Sequence, residues 1–259
     1  MSSNASIGFL DSGIGGVTVM KEAQKLLPNE NYVYFSDSVN NPYGDKTDSE
    51  IIERCFEITR LLVDTKGCKA VMLACNTASA KAAASLRKAY PDTPIIAIEP
   101  AYKMAYDNNP DGFTLVMATR GTVNSEKFRR LFYTYYNHRT ALLSCVGLAD
   151  LIEQDRQEEL AQYLEKTLGR YRGKAQNVVL GCTHYPLAKR QIRKVLGDVN
   201  FFDGSYGTSK RLANVLAEKD LLTERTEHGE IEFIDSSPSL EQKAQKKERF
   251  FSLLEESYD

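Results

Sequence analysis

Val178-Val179-Leu180-Gly181-Cys182-Thr183-His184-Tyr185-Pro186 decides how the rest of the chain is read. An apolar run ends in a thiol, a threonine and a histidine, and a proline then stops the strand. The pattern has an echo upstream, Val71-Met72-Leu73-Ala74-Cys75-Asn76-Thr77-Ala78. The two thiols stand 107 positions apart (75 to 182). Each is predicted at the C-terminal end of a buried strand with small polar residues behind it.

Working outward, strands and helices alternate. Ile7–Leu10 reads as a strand, Asp11-Ser12-Gly13-Ile14-Gly15-Gly16 as a glycine-rich turn, and Val17–Leu27 as a helix stopped by Pro28. Strands follow at 32–35, 71–74 and 95–98. Between them come an irregular loop at 36–44 and helices at 49–66, capped by Asp48 or Ser49, and at 78–90. The order then restarts: strand 113–118, turn Thr119–Thr122, helix 125–136, strand 140–144, helices 148–153 and 158–170, the Cys182 strand, and helix 187–196. A strand at 199–203, a helix at 206–218, a last strand at 231–235 and a Lys/Glu-rich helix at 239–255 close the chain; the charges of that helix read as a solvated face. The expected class is α/β with two halves and mostly parallel sheets. The predicted division is 1–98 plus a returning segment 208–259 for one domain and 99–207 for the other.

The chain has 259 residues, 42% hydrophobic and 26% charged, with a formal net charge of −2. This is the composition of a globular protein with ample core. Nothing global points to nucleic acid. No apolar run approaches the roughly 20 residues that span a bilayer, and Met1–Ser6 lacks the features of a signal peptide. A cytoplasmic location is the expectation. The five cysteines, at 55, 68, 75, 145 and 182, include no Cys-x-x-Cys pair and have no metal-ligand spacing with His138 or His228. No metal and no cofactor are expected. Cys55, Cys68 and Cys145 read as core residues.

In parallel sheets, sites form outside the carboxyl ends of strands. Asp11, Ser12, Cys75, Asn76, Thr77, Thr119, Thr122, Cys182, Thr183 and His184 all fall there. A thiolate at a strand end is favoured by a helix N-terminus and loop amides, which also hold carboxylates. Two opposed thiols suit proton transfer at carbon, one removing an α-proton and the other delivering one to the opposite face. Plainer readings stand beside this. Asp11-Ser12 serves as a helix N-cap in many proteins, Asp37 and Asn40 fit turns, His184 orders a turn before Pro186, and Glu153 fits a helix surface. The glycines at 13, 15 and 16 do not form a dinucleotide or P-loop fingerprint.

Taken together, Gly8-Phe9-Leu10-Asp11-Ser12-Gly13-Ile14-Gly15-Gly16, Pro42-Tyr43-Gly44, Ala74-Cys75-Asn76-Thr77-Ala78-Ser79-Ala80, Ala118-Thr119-Arg120-Gly121-Thr122 and Leu180-Gly181-Cys182-Thr183-His184-Tyr185-Pro186-Leu187 resemble the glutamate racemases of the aspartate/glutamate racemase superfamily. The resemblance implies two flavodoxin-like (ATC-like) α/β domains related by a pseudo-two-fold, with the active site between them. It implies cofactor-independent interconversion of L- and D-glutamate for bacterial peptidoglycan, and a homodimer. Cys75 and Cys182 would be the acid/base thiols, the first serving D-glutamate and the second L-glutamate, assisted by Asp11 and His184. Asp11, Ser12, Pro42, Tyr43, Gly44, Asn76, Thr77, Thr119, Thr122, Thr183 and His184 would line the substrate site, and Glu153 matches a family glutamate near it. Many members carry Arg two residues before Pro-Tyr-Gly. Asn40 stands there in this chain, so a cationic contact in that loop is expected to be missing. The alternatives are a racemase of aspartate or another amino acid, and a non-catalytic module that binds an acidic amino acid.

Overall fold

A computed structural model describes residues 2–258; the readings that touch Met1 and Asp259 lie outside the described residues. The strands are β1 (Ile7–Asp11), β2 (Tyr32–Ser36), β3 (Ala70–Leu73), β4 (Ile95–Ala97), β5 (Thr114–Ala118), β6 (Thr140–Ser144), β7 (Asn177–Gly181), β8 (Asn200–Asp203) and β9 (Ile231–Asp235). The helices are α1 (Val17–Leu26), α2 (Asp48–Arg60), α3 (Asn76–Ala89), α4 (Tyr102–Asn108), α5 (Arg120–Val123), α6 (Glu126–Tyr135), α7 (Leu148–Glu153), α8 (Gln157–Leu168), α9 (Lys189–Leu196), α10 (Ser205–Glu218) and α11 (Leu240–Glu255).

Two sheets form, ordered β4-β3-β1-β2-β9 and β6-β5-β7-β8. Every strand pair is parallel. If β5, β6, β7 and β8 are matched with β1, β2, β3 and β4, the four-strand order is the same in both halves. That order explains the echo in the sequence, because Cys75 follows β3 and Cys182 follows β7, the same strand in each half. In each sheet the first strand has its successor on one side and the cysteine strand on the other. The crevice at such a switch point is where open α/β sheets bind ligands. The central strands β1, β3, β5 and β7 are buried on both faces, so they read as largely apolar runs without alternation.

The tail returns to the first sheet. β9 pairs with β2 from Tyr32↔Ile231 to Ser36↔Asp235, α10 packs along α1, and Phe250 of α11 is buried against Tyr34 and Phe233. Cys55 and Cys68 lie in the core between the first sheet and α2–α3, and Cys145 lies in the core of the second.

Some local boundaries differ from the sequence reading. The N-cap of α2 is Thr47, because Thr47 and Glu50 close a reciprocal capping box that neither Asp48 nor Ser49 can make. The helix expected to run to Lys66 ends at Arg60 and continues as a π-turn, Leu61–Thr65. α3 begins at Asn76 with Cys75 in the capping position. The segment after Cys182 differs: Tyr185–Ala188 is a 3-10 turn and the α-helix starts only at Lys189. Pro186 provides no N–H and suits that tight first turn. Among the described residues no helix is long and apolar enough to cross a membrane.

Candidate active site

The loops after β1, β3, β5 and β7 converge. Asp11 ends β1, and its Oδ1 accepts from Gly13 N at 2.8 Å, which shapes the glycine turn. Its Oδ2 accepts from Thr183 Oγ1 of the opposite half at 3.0 Å. Thr18 Oγ1, also in the first half, donates to Thr183 O at 3.2 Å. The glycines of this turn are needed for that approach. A Cβ on Gly13 would lie 2.6 Å from Glu153 Oε2, and one on Gly15 would lie 2.4 Å from His184 Nδ1. The turn therefore makes room for the other half's histidine and carboxylate.

Cys75 and Cys182 are buried, 6% and 7% exposed. Cys75 Sγ donates to Ser12 Oγ at 3.7 Å. Burial and the Asp11 charge push this thiol up to about 12, against the backbone amide of Ala78 and the Ser12 hydroxyl; the Cys182 charge pushes the same way. The expectation that a helix N-terminus favours the thiolate fails here in net: the amide of α3 does act on Cys75, but desolvation and a neighbouring carboxylate outweigh it. Asp11, fully buried, is itself raised by desolvation, opposed by His184, Gly13 and Thr183.

The second thiol has different company. Cys182 Sγ lies 3.8 Å from His184 Nδ1, and His184 Nε2 donates to Glu153 Oε2 at 2.7 Å. Burial opposes charge on the imidazole, but the hydrogen bonds and charges of Cys182 and Glu153 raise it well above the usual histidine range. Burial likewise works against the Glu153 carboxylate, yet His184 and Lys246 hold it down at about 2. Ile14 N donates to the same Oε2 at 3.1 Å. Glu153 is thus 4% exposed and not a helix-surface residue. His184 is tied to Glu153, so its ring is fixed with Nδ1 toward sulfur.

Threonines join the halves on the other side. Thr77 Oγ1 lies 2.9 Å from Thr119 Oγ1, and Thr119 Oγ1 donates to Thr122 Oγ1 at 3.0 Å. Gly44 and Gly121 pack against one another and against Thr119 and Thr77. Asn76 Nδ2 is buried with no hydrogen-bond partner. An unpaired buried amide N–H costs on the order of 1–3 kcal/mol, which makes it a donor available to an anionic substrate. A cavity of about 20 Å³ lies beside Asn76 and Thr122, roughly the space of one water.

Tyr43 is buried, and its hydroxyl donates to Asp37 Oδ2 at 2.6 Å. Asn41–Pro42 is a cis peptide in the same loop. Asp37 is more than a turn residue: Arg54 Nε and Nη2 grip its two oxygens at 2.8 and 3.0 Å, and Asn40 Nδ2 donates to it at 3.2 Å. The missing loop cation is thus supplied from α2. The spacing of Arg54 on an amphipathic helix gave no sign of this. Lys246 and Arg249 were also missed. Lys246 bonds Glu153 Oε1, and Arg249 donates to the carbonyl oxygens of Glu153 and, at 2.7 Å, of Ile152. The face of α11 read as solvated therefore turns two cations inward. Among the described residues no group of three or more His, Cys, Asp or Glu is placed to hold a metal ion.

Two buried thiols with buried ionisable neighbours thus stand between two α/β halves of the same strand order. The Asp/Glu/Hydantoin racemase family model matches residues 12–205, and the chain belongs to that family. The chain is 42% identical over 238 residues to a glutamate racemase of Clostridium perfringens, covering 90% of this chain and 91% of the relative. It is 43% identical over 243 residues to one of Clostridium kluyveri, covering 92% and 94%. The fold is similar to that of Francisella tularensis glutamate racemase in complex with D-glutamate (TM-score 0.80, 30% identity, 96% and 94% of the two chains). It is also similar to that of Escherichia coli glutamate racemase in complex with L-glutamate and the activator UDP-MurNAc-ala (TM-score 0.81, 27% identity, 95% of each chain). The chain is an amino-acid racemase, an isomerase.

Proposed function

We propose that the substrate is glutamate and that the two thiols work on opposite faces of its α-carbon without a cofactor. The pairing of each thiol with its own buried acid, Cys75 beside Asp11–Ser12 and Cys182 beside His184–Glu153, is the observation that carries this reading. The names and bound ligands of the similar proteins support the choice of substrate.

In the L-to-D direction, Cys182 as thiolate takes the α-proton: the C–H bond breaks, S–H forms, and the electron pair stays on the α-carbon beside the substrate carboxylate. Cys75 as thiol gives its proton to the other face, so S–H breaks and C–H forms. The D-to-L direction exchanges the roles. The charged imidazole of His184 stabilises negative sulfur at Cys182, and Asp11 assists at Cys75. Asn76, Thr77, Thr183 and Ser12 supply neutral donors to the carboxylates, with Thr119, Thr122 and the Pro42–Gly44 loop forming the wall. D-glutamate made this way would serve peptidoglycan synthesis. The domain division proposed is 1–98 with 208–259 against 99–207. The return of β9 and α10 to the first half supports it, with α10 starting three residues ahead of that boundary.

The test is a circular dichroism assay on purified protein with L- and then D-glutamate and no added cofactor. Rotation should decay to zero from both sides; L-aspartate should turn over at least about 100-fold more slowly, the scale on which a site matched to one chain length rejects another. Faster turnover of aspartate would overturn the substrate assignment.

A further inference from the structure

α11 belongs with the first half. Ser239 caps it, Phe250 anchors it beneath Tyr34 and Phe233, and it packs on α1 and β9. Most of its charged residues, Lys243, Lys247 and Glu248 among them, are exposed. Lys246 and Arg249 are partly buried and reach across to the second half. They meet one place there, the C-terminal end of α7, where Glu153 presents its side chain and Ile152 and Glu153 present their carbonyls. Cations at a helix C-terminus satisfy carbonyls that have no partner within the helix. Here Lys246 also holds a buried carboxylate whose other oxygen orients His184.

Glu153 and His184 are both in the second half, so their mutual bond does not depend on how the halves sit. The bonds from Lys246, Arg249 and Ile14 do. Neither thiol is more than 7% exposed, so in this arrangement a substrate has little access to them, and a parting of the halves would break those bonds. We propose that Lys246 and Arg249 are positioning residues that latch the C-terminal helix to Glu153, completing the Cys182–His184–Glu153 arrangement only when the two halves are closed. The positioning role rests on the racemase reading; the latch does not. Asp11 and Asp150, whose charges also act near Glu153 and His184, add negative charge there, which the two cations offset.

Two readouts separate these claims: turnover, and the rate at which iodoacetamide modifies Cys182, read by mass spectrometry of the peptide. For Lys246→Met and Arg249→Met we expect kcat to fall about 10-fold, as slight misplacement of a reacting group does, and Cys182 to be modified several-fold faster. Lys246→Arg should restore both, and Lys247→Met, on the exposed side, should change neither. Thermal midpoints verify that each variant is folded. Wild-type kcat in Lys246→Met with faster modification would remove the positioning role, and an unchanged modification rate would remove the latch. If the wild-type protein failed to racemise glutamate, the substrate reading would fall, and the modification rates would still decide the latch.

Discussion

The two thiols occupy the same place in two halves of the same strand order, yet their surroundings are unlike. Cys75 caps a 14-residue helix and sits beside a buried aspartate that discourages its ionisation. Cys182 precedes only a 3-10 turn and relies on an imidazole that Glu153 holds charged. A repeat thus supplies the positions, and two different sets of neighbours surround them: burial and Asp11 raise the Cys75 thiol, while Cys182 faces a histidine raised above its ordinary range. A racemase that works in both directions needs one sulfur charged and one protonated at a time. Burial and the Asp11 charge favour the proton on Cys75.

Replacing either thiol breaks this comparison most severely. Cys75→Ala and Cys182→Ala should each lower racemisation by about 10³-fold or more, the upper range for a lost acid/base group, as read by circular dichroism, with thermal midpoints little changed. Next come the helpers. His184→Asn should lower kcat about 100-fold, and Glu153→Gln, which leaves the ring in place without its counter-charge, about 10-fold. Equal effects would show that Glu153 acts only by charging His184.

Stability should move in opposite directions at the two sites. Glu153 is held at about 2, below its ordinary 4.5. Its contribution is therefore present above about pH 4.5 and lost as pH falls toward 2; over that window it amounts to about 3 kcal/mol. The raised histidine contributes below its ordinary 6.5 and loses that contribution as pH rises through its folded value. Denaturant unfolding of Glu153→Gln against wild type should show a loss at pH 6 that shrinks in acid. Asp11 is raised by burial, so its charge opposes folding at neutral pH. Asp11→Asn should be more stable than wild type at pH 7, while turnover falls. A destabilised Asp11→Asn would contradict the reading that the buried Asp11 charge opposes folding. The smallest effect is expected at Arg54→Met, which loosens the Asp37–Tyr43 loop that carries Gly44. A KM rise of roughly 3-fold, about 0.7 kcal/mol, with kcat unchanged would match its distance from the sulfurs.

Much of this was legible in the sequence, for definable reasons. Strand-to-thiol-to-polar runs mark parallel strands that end in a site, and the two copies gave the halves and the pairing. The return of the tail to the first half could be anticipated from a second crossing near Asp203–Gly207. Asp11, Cys75, Cys182 and His184 lie at or within three residues of strand C-terminal ends, where chain order brings them together. Arg54, Lys246 and Arg249 do not. They sit on amphipathic helices among other charges, and only tertiary packing decides which of those charges turn inward. The raised Cys75 thiol is not legible in sequence, because a helix N-terminus is visible there while burial against Asp11 is not. The glycines of 13–16 read as a turn; their closeness to Glu153 and His184 becomes evident only with both halves in place.

The most direct measurement is exchange of the substrate α-proton in deuterated water, followed by NMR, for Cys75→Ala and Cys182→Ala with each glutamate enantiomer separately. Cys75→Ala, which keeps Cys182, should exchange L-glutamate and not D-glutamate. Cys182→Ala should do the reverse, with no inversion in either. Exchange of both enantiomers by a single-thiol variant would contradict the assignment of one sulfur to each face.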